Sequence, residues 1–258
     1  MFIYFDQGKV KEKAEKMIIC IINPNTTERM TDTIEVAAKK VATSTTRIIS
    51  TNPKNGPESI EGYYDEVFCI PGIIEAVYTH KEADAYIIAC FDDTGLEAVR
   101  TITSKPVLGI GDSSFHIASC LAGTFSVITT LEVSVPILKN NLLKRGFDRI
   151  CVNVSSVDVP VLDLESGDDS VLFGIENEIA KSINKYKSEA IVLGCAGMAD
   201  FAEKLEQKFS IPVIEGVSAA VILAEGLVRM KKSTSKLGGY SYPRSKKYSG
   251  IYKPYTFK

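Results

Sequence analysis

Two stretches of this chain, 105 residues apart, read as copies of one another. Glu82-Ala-Asp-Ala-Tyr-Ile-Ile-Ala-Cys90 resembles Lys187-Ser-Glu-Ala-Ile-Val-Leu-Gly-Cys195, and Lys105-Pro-Val107 resembles Ile211-Pro-Val213 at an offset of 106. The apolar runs that open the two halves, near Ile18 and near Phe125, lie about 107 apart. A period this long marks a duplicated domain rather than a solenoid. Each half reads as four βα units, with one cysteine where its third strand ends.

The runs rich in Ile and Val are Ile18–Ile22, Arg47–Thr51, Ala85–Ala89, Val107–Ile110, Ser126–Thr129, Ile150–Val154, Ala190–Leu193 and Val213–Ile214. Short continuous apolar runs fit strands buried on both faces, as in parallel sheets. Helical patterns lie between them. The first carries Met30, Ile34, Ala37 and Val41 on one face, with Asn25 as a cap and Glu28 three residues on. Strand, helix, strand, helix predicts an α/β fold.

Hydrophobic residues at 45% and charged residues at 24% allow a core that needs no metal or disulfide staple. A net charge of −2 argues against a basic nucleic-acid footprint. The longest apolar run, about six residues at Met17–Ile22, is far too short to span a bilayer. Met1–Lys16 is charge-rich after Phe5 and does not read as a secretory signal. The six cysteines form no CxxC pair, and with only His80 and His116 a zinc site is poorly supplied. These features predict a cytoplasmic protein with no metal, no membrane partner and no nucleic-acid partner.

Ligands of open parallel sheets bind outside the carboxyl ends of the strands. Cys90 and Cys195 fall at such ends, each before a helix. With the halves face to face, the two thiols meet in one cleft. A helix N-terminus can lower a thiol pKa, and two thiols on opposite faces of a carbon can remove a proton from one side and return it on the other.

At these residues the chain resembles the hydantoin racemases of the aspartate/glutamate racemase superfamily. The motifs are Asn23-Pro-Asn-Thr-Thr27, Gly56-Pro-Glu-Ser-Ile-Glu-Gly62, Ala89-Cys-Phe-Asp-Asp-Thr-Gly95, Phe125-Ser-Val-Ile-Thr-Thr130 and Leu193-Gly-Cys-Ala-Gly-Met198, spread over about Met17 to Met230. The resemblance implies two pseudo-symmetric α/β lobes, each a parallel sheet flanked by helices, with the active site between them and no cofactor. It implies that residues 17–114 plus 215–232 form the first lobe and 115–214 the second, with 1–16 an N-terminal extension and 233–258 an extended C-terminal tail. Cys90 and Cys195 match the catalytic pair. Asn25 matches a substrate-facing position, and also fits a helix cap. Phe91 and Asp92, with Ala196 and Gly197, match amide-rich turns that hold substrate oxygens. Thr129 and Thr130 line the same cleft, and also fit as ordinary β-branched strand residues. Many members show Asp-Pro-Gly where this chain has Asp93-Thr-Gly95.

Other residues carry plainer expectations. Cys20, Cys69, Cys120 and Cys151 are expected to be small buried hydrophobes. His116 and His80 are expected on partly exposed helix surfaces. Asp92-Asp93 reads as helix capping, although negative charge there opposes any lowering of the Cys90 pKa.

Amino-acid racemases of the superfamily follow their cysteines with Asn-Thr and Thr-His, whereas this chain has Phe91-Asp92 and Ala196-Gly197. That substitution favours a neutral ring amide, a 5-substituted hydantoin such as allantoin, over a zwitterion. An amino-acid racemase and another isomerase or a decarboxylase of the superfamily remain open. So does a thiol sensor or small-molecule binding protein without turnover. Decarboxylases that resemble the family use one cysteine, so a retained pair argues against them. The stretch from Lys231 to Lys258, with eight Lys/Arg and five Tyr, reads as a tail lying on its own subunit or a neighbour, and a homo-oligomer is expected.

Overall fold

The structure, a computed structural model, describes residues 16–165 and 169–257. The predicted N-terminal extension therefore lies outside the described residues except for Lys16.

The repeat is realised as two parallel four-stranded sheets. The first holds β1 (Met17–Ile22), β2 (Thr46–Thr51), β3 (Ala85–Ile88) and β4 (Val107–Gly109) in the order β2-β1-β3-β4. The second holds β5 (Phe125–Thr129), β6 (Cys151–Ser156), β7 (Ala190–Gly194) and β8 (Val213–Glu215) in the order β6-β5-β7-β8. The predicted two-lobed α/β fold is therefore present.

Each sheet changes winding direction beside its first strand. The switch points lie between β1 and β3, where Ile22 pairs with Ile88, and between β5 and β7, where Thr129 pairs with Gly194. Crevices for ligands open at such points, beyond the strand ends. The residues just past those four strands are the ones that can line a site.

The helices are α1 (Glu28–Val41), α2 (Tyr63–Thr79), α3 (Leu96–Ile102), α4 (Ile110–Leu121), α5 (Ser134–Arg145), α6 (Asp169–Tyr186), α7 (Ala202–Phe209) and α8 (Gly216–Arg229). The Met30, Ile34 and Ala37 face of α1 is buried, as its 3.6-residue period requires. Helices α4 and α8 each leave a strand without an intervening loop and then cross toward the other half. Helix α4 packs on β7 and β8, α8 packs on β1, β3 and β4, and the two pack on each other. A side chain at Gly216 would place its Cβ 2.6 Å from the carbonyl oxygen of Ile110, so the two helix starts touch.

Strand alternation builds three layers of core. Ile19, Ile21, Phe125 and Val127 face a central cluster shared by both sheets. Cys20 and Ile22 face an outer cluster under α2 and α3, and Ile128 and Ile191 face one under α6. Phe115 of α4 stacks on Phe125 and meets Phe91 edge-on, at ring separations of 6.1 and 5.8 Å.

Three local expectations change. Ile110 starts α4 rather than ending β4. Asn25 is not the cap of α1; that position falls to Thr27. Cys120 is exposed, because α4 turns its Phe115 and Ala118 face inward and carries 116, 119 and 120 outside. Cys20 and Cys69 are buried as expected, and Cys151 is half-buried.

The tail runs back along the first half. Thr234 bonds the carbonyls of Ser104 and Lys105 through its N–H and hydroxyl, at 2.8 and 2.7 Å, and Lys236 reaches the carbonyl of Arg100. Among the described residues no helix is long and apolar enough to cross a membrane.

Candidate active site

Cys90 follows β3 by two residues and Cys195 follows β7 directly. Both are half-buried and both line one cleft between the halves. The chain turns in the same way after each thiol. Asp93 N–H bonds the carbonyl of Cys90 at 3.0 Å, and Met198 N–H bonds the carbonyl of Cys195 at 3.1 Å.

The first-half wall continues from β1. Asn23 Nδ2 donates to Asn25 Oδ1 at 2.8 Å and to Thr31 Oγ1 at 3.0 Å. Asn25 Oδ1 also accepts from Thr27 N–H at 2.9 Å, an Asx turn one step ahead of the helix. Both asparagines are buried in the cleft wall.

Burial pushes the Cys90 thiol well above its ordinary range, and the neighbouring Asp92 carboxylate adds to that. The Thr94 hydroxyl, 3.7 Å from Sγ, and the Asp92 amide act the other way. The helix that follows starts only at Leu96, so of the two opposed influences read from the sequence, a helix N-terminus and the neighbouring negative charge, the second prevails at Cys90. A thiol stripped of water loses more than a distant dipole returns.

The two aspartates part company. Asp92 lines the cleft, 8% exposed, and burial with the nearby Glu66 raises its pKa to about 7. The Ser134 hydroxyl of α5, 3.4 Å from Oδ2, opposes that rise slightly. Asn141 of the same helix donates to the Asp92 carbonyl at 2.8 Å. Asp93 turns away, with φ at 55°, and accepts from the N–H groups of Gly111 and Asp112 at 3.0 and 2.8 Å. It is a cap, as expected, but of α4 rather than of the helix that follows it.

From the second half, Thr129 and Thr130 are buried in the cleft wall, and Thr129 Oγ1 donates to the Gly194 carbonyl at 3.0 Å. Ala196 also lines the cleft. Gly197 does not; it packs on Leu164, beneath Cys195. Phe91 lines the cleft with its ring anchored on Phe115. Eight of the nine predicted positions thus meet in one place.

The structure adds Asn23, Pro24, Met30, Ile60, Ser134 and Val161 to the wall. Asn23, Pro24 and Ile60 sit inside motifs visible in the sequence, whereas Ser134 and Val161 carry no local signal. His116 is exposed on α4 and His80 ends α2, both away from the cleft. Among the described residues no three His, Cys, Asp or Glu side chains are grouped to hold a metal ion. Nor does any Lys, Arg or His line the cleft.

Comparison with known proteins shows the family of the chain. A family model described as Asp/Glu/Hydantoin racemase matches residues 19–224. A hydantoin racemase of Pseudomonas sp. (strain NS671) is 45% identical over 236 residues, 91% of this chain and 95% of that protein. A hydantoin racemase of Rhizobium meliloti is 42% identical over 91% of this chain and 98% of its own length. The structure of an allantoin racemase from Klebsiella pneumoniae superposes with a TM-score of 0.89 at 38% identity, over 92% of this chain and 98% of that one.

Proposed function

Since the chain belongs to the Asp/Glu/hydantoin racemase family, and is an isomerase of racemase type, we propose that it inverts C5 of 5-substituted hydantoins, allantoin among them, by proton transfer between Cys90 and Cys195. The observation that carries the reading is the equivalent placement of the two thiols, after β3 and after β7, on one cleft.

The chemistry follows from the substrate. The C5–H of a hydantoin lies between a ring nitrogen and a ring carbonyl. A thiolate on one face takes the proton, and the C–H electron pair moves into the ring carbonyl, whose oxygen becomes an enolate. The thiol on the other face gives its proton to C5 and leaves as thiolate. The electrons return to carbon, and no net proton is gained or lost. For the other hand the two sulfurs exchange roles. The enolate oxygen needs donors already aimed at it, and the backbone N–H groups of Phe91 and Ala196, which follow the two sulfurs on the cleft wall, are the ones placed to supply them. Asn25, Thr129 and Thr130 orient the ring.

The cleft's polarity supports a neutral ring. Among the described residues no cationic side chain stands on its wall to offset an amino-acid carboxylate, and Asp92 stands beside one thiol. The names of the relatives point to the same substrates. The thiols need a reducing compartment, which makes the cytoplasm the proposed location.

Optical rotation tests the reading. Single enantiomers of several 5-substituted hydantoins, allantoin, glutamate and aspartate are each incubated with the protein. Decay of the hydantoin signals above the buffer rate, with the amino acids unchanged, is expected. Racemised amino acids with unchanged hydantoins would overturn the substrate.

A further inference from the structure

The two-thiol scheme leaves one ionisable side chain of the cleft unused. Among the described residues, Asp92 is the single carboxyl on the cleft wall. It is buried and stands in the same turn as Cys90. Its charged or titratable neighbours are Glu66, from α2, and Cys90 itself. The groups that reach it from α5, Ser134 and Asn141, are neutral.

Among the described residues no cation balances this corner. Glu66 Oε1 is itself buried without a hydrogen-bond partner, which marks a region already poor in compensation for negative charge. Adding a thiolate at Cys90, or the enolate that replaces it once the proton is taken, would place up to three anions within a low-dielectric pocket. Burial disfavours each anion and each anion disfavours the next. A protonated carboxyl relieves this, and it offers something a carboxylate cannot: an O–H donor. A buried acid kept neutral near pH 7 can hold an enolate oxygen.

We propose that Asp92 acts in its neutral form as a hydrogen-bond donor to a ring carbonyl of the substrate. This rests on the hydantoin reading above. It makes Asp92 a catalytic residue through its side chain as well as its backbone. Once it has lost its proton at higher pH, the same residue becomes a selectivity device, because a ligand bearing its own carboxylate then meets the Asp92 carboxylate and, among the described residues, no cation on the cleft wall. The ring-opened N-carbamoyl amino acid is such a ligand and keeps the hydantoin's side chain.

The test compares wild type with D92N, which keeps a side-chain N–H donor at every pH, and with D92A, which keeps none. Racemisation of one enantiomer of 5-benzylhydantoin is followed across pH. Substrate ionisation and thiol titration affect all three proteins, so the ratio of wild type to D92N is the readout. That ratio of kcat/KM is expected to fall by about tenfold or more between about pH 6.5 and 8.5, as the acid loses its proton. D92A is expected to lose about 100-fold in kcat, with KM moving far less, as for the loss of one oxyanion donor. At about pH 8.5, where Asp92 has lost its proton, N-carbamoylphenylalanine should inhibit D92N more strongly than wild type, and equal inhibition there would contradict the selectivity role. A constant ratio across pH, or D92A matching wild type, would overturn the proposal. If D92A fails to fold, the wild-type to D92N ratio decides alone. Cys90→Ser and Cys195→Ser are assayed in parallel. If they stay active, the two-thiol reading fails whatever Asp92 does; if they are dead while Asp92 variants are unaffected, only the present proposal fails.

Discussion

The hydroxyl of Thr94 lies 3.7 Å from the sulfur of Cys90, within the reach of a weak hydrogen bond to sulfur. Thr94 is 4% exposed and fixed in the turn, so this contact is not shared with bulk water. Donation to the thiolate favours the charged form of a thiol that burial otherwise pushes upward. T94V is expected to slow alkylation of Cys90 near neutral pH and to lower racemisation by about three- to tenfold, while T94S keeps both. Rates of iodoacetamide labelling, resolved by peptide mass, check this; equal labelling of T94V and wild type would contradict it.

Asp93 carries a structural load. Its carboxyl satisfies two N–H groups at the start of α4, 18 and 19 residues away, and so fastens the Cys90 turn to the helix that bridges the halves. D93A leaves both donors without that partner. It is expected to cost about 2–4 kcal/mol, as for two hydrogen bonds to a charged or polar acceptor in a buried place. Urea unfolding measures it, and a loss below about 0.5 kcal/mol, the scale of an ordinary surface substitution, would contradict the assignment.

Stability should fall on the alkaline side. Asp92 and Asp93 hold their protons in the folded chain up to about 7 and about 8, whereas the unfolded carboxyls release theirs near 4. Across that window the folded state binds more protons, so raising pH draws the equilibrium toward the unfolded chain. His116, also raised by its partner Asp112, acts with the same sign. Asp112, Glu97 and Glu225 are lowered and act oppositely, losing their contribution as acid is added. The Asp92 contribution alone is on the order of 3–4 kcal/mol if fully expressed. The melting temperature is expected to drop between pH 6 and pH 8.5 in wild type and to drop less in D92N. Parallel curves would contradict the buried-acid assignment.

Much of this arrangement is legible in the sequence, for identifiable reasons. Strands buried on both faces leave uninterrupted apolar runs, so the ends of β3 and β7, and with them Cys90 and Cys195, can be located without coordinates. What stays hidden depends on tertiary approach. Ser134 and Glu66 reach Asp92 only because α5 and α2 close over the turn, and no local pattern announces that. The cap of α1 is misread because an asparagine two residues before a turn N–H and one at a helix start make the same kind of bond. The exposure of Cys120 is missed because α4 begins with Asp112, Ser113 and Ser114 buried, which blurs the phase of its apolar face.

Chelation and alkylation separate thiol chemistry from metal chemistry. The reaction scheme needs two sulfurs and preset N–H donors. Prolonged treatment with a chelator is expected to leave racemisation intact, while thiol alkylation abolishes it and substrate protects both Cys90 and Cys195 from the label. Activity lost to the chelator and restored by a divalent ion would contradict the scheme.

The central claim, one base on each face of the stereocentre, is tested most directly by hydrogen exchange. Serine resembles cysteine in size but is a far weaker base near neutral pH, so C90S and C195S keep the cleft's shape and lose one base each. Each pure hydantoin enantiomer is incubated with each variant in deuterated water, and incorporation at C5 is read by NMR against buffer alone. Both single variants should fail to racemise. Each should still exchange the C5 hydrogen of one enantiomer with retention of configuration, the two variants choosing opposite hands, and the double variant should do neither. Exchange of the same hand by both variants, or full racemisation by either, would contradict the account.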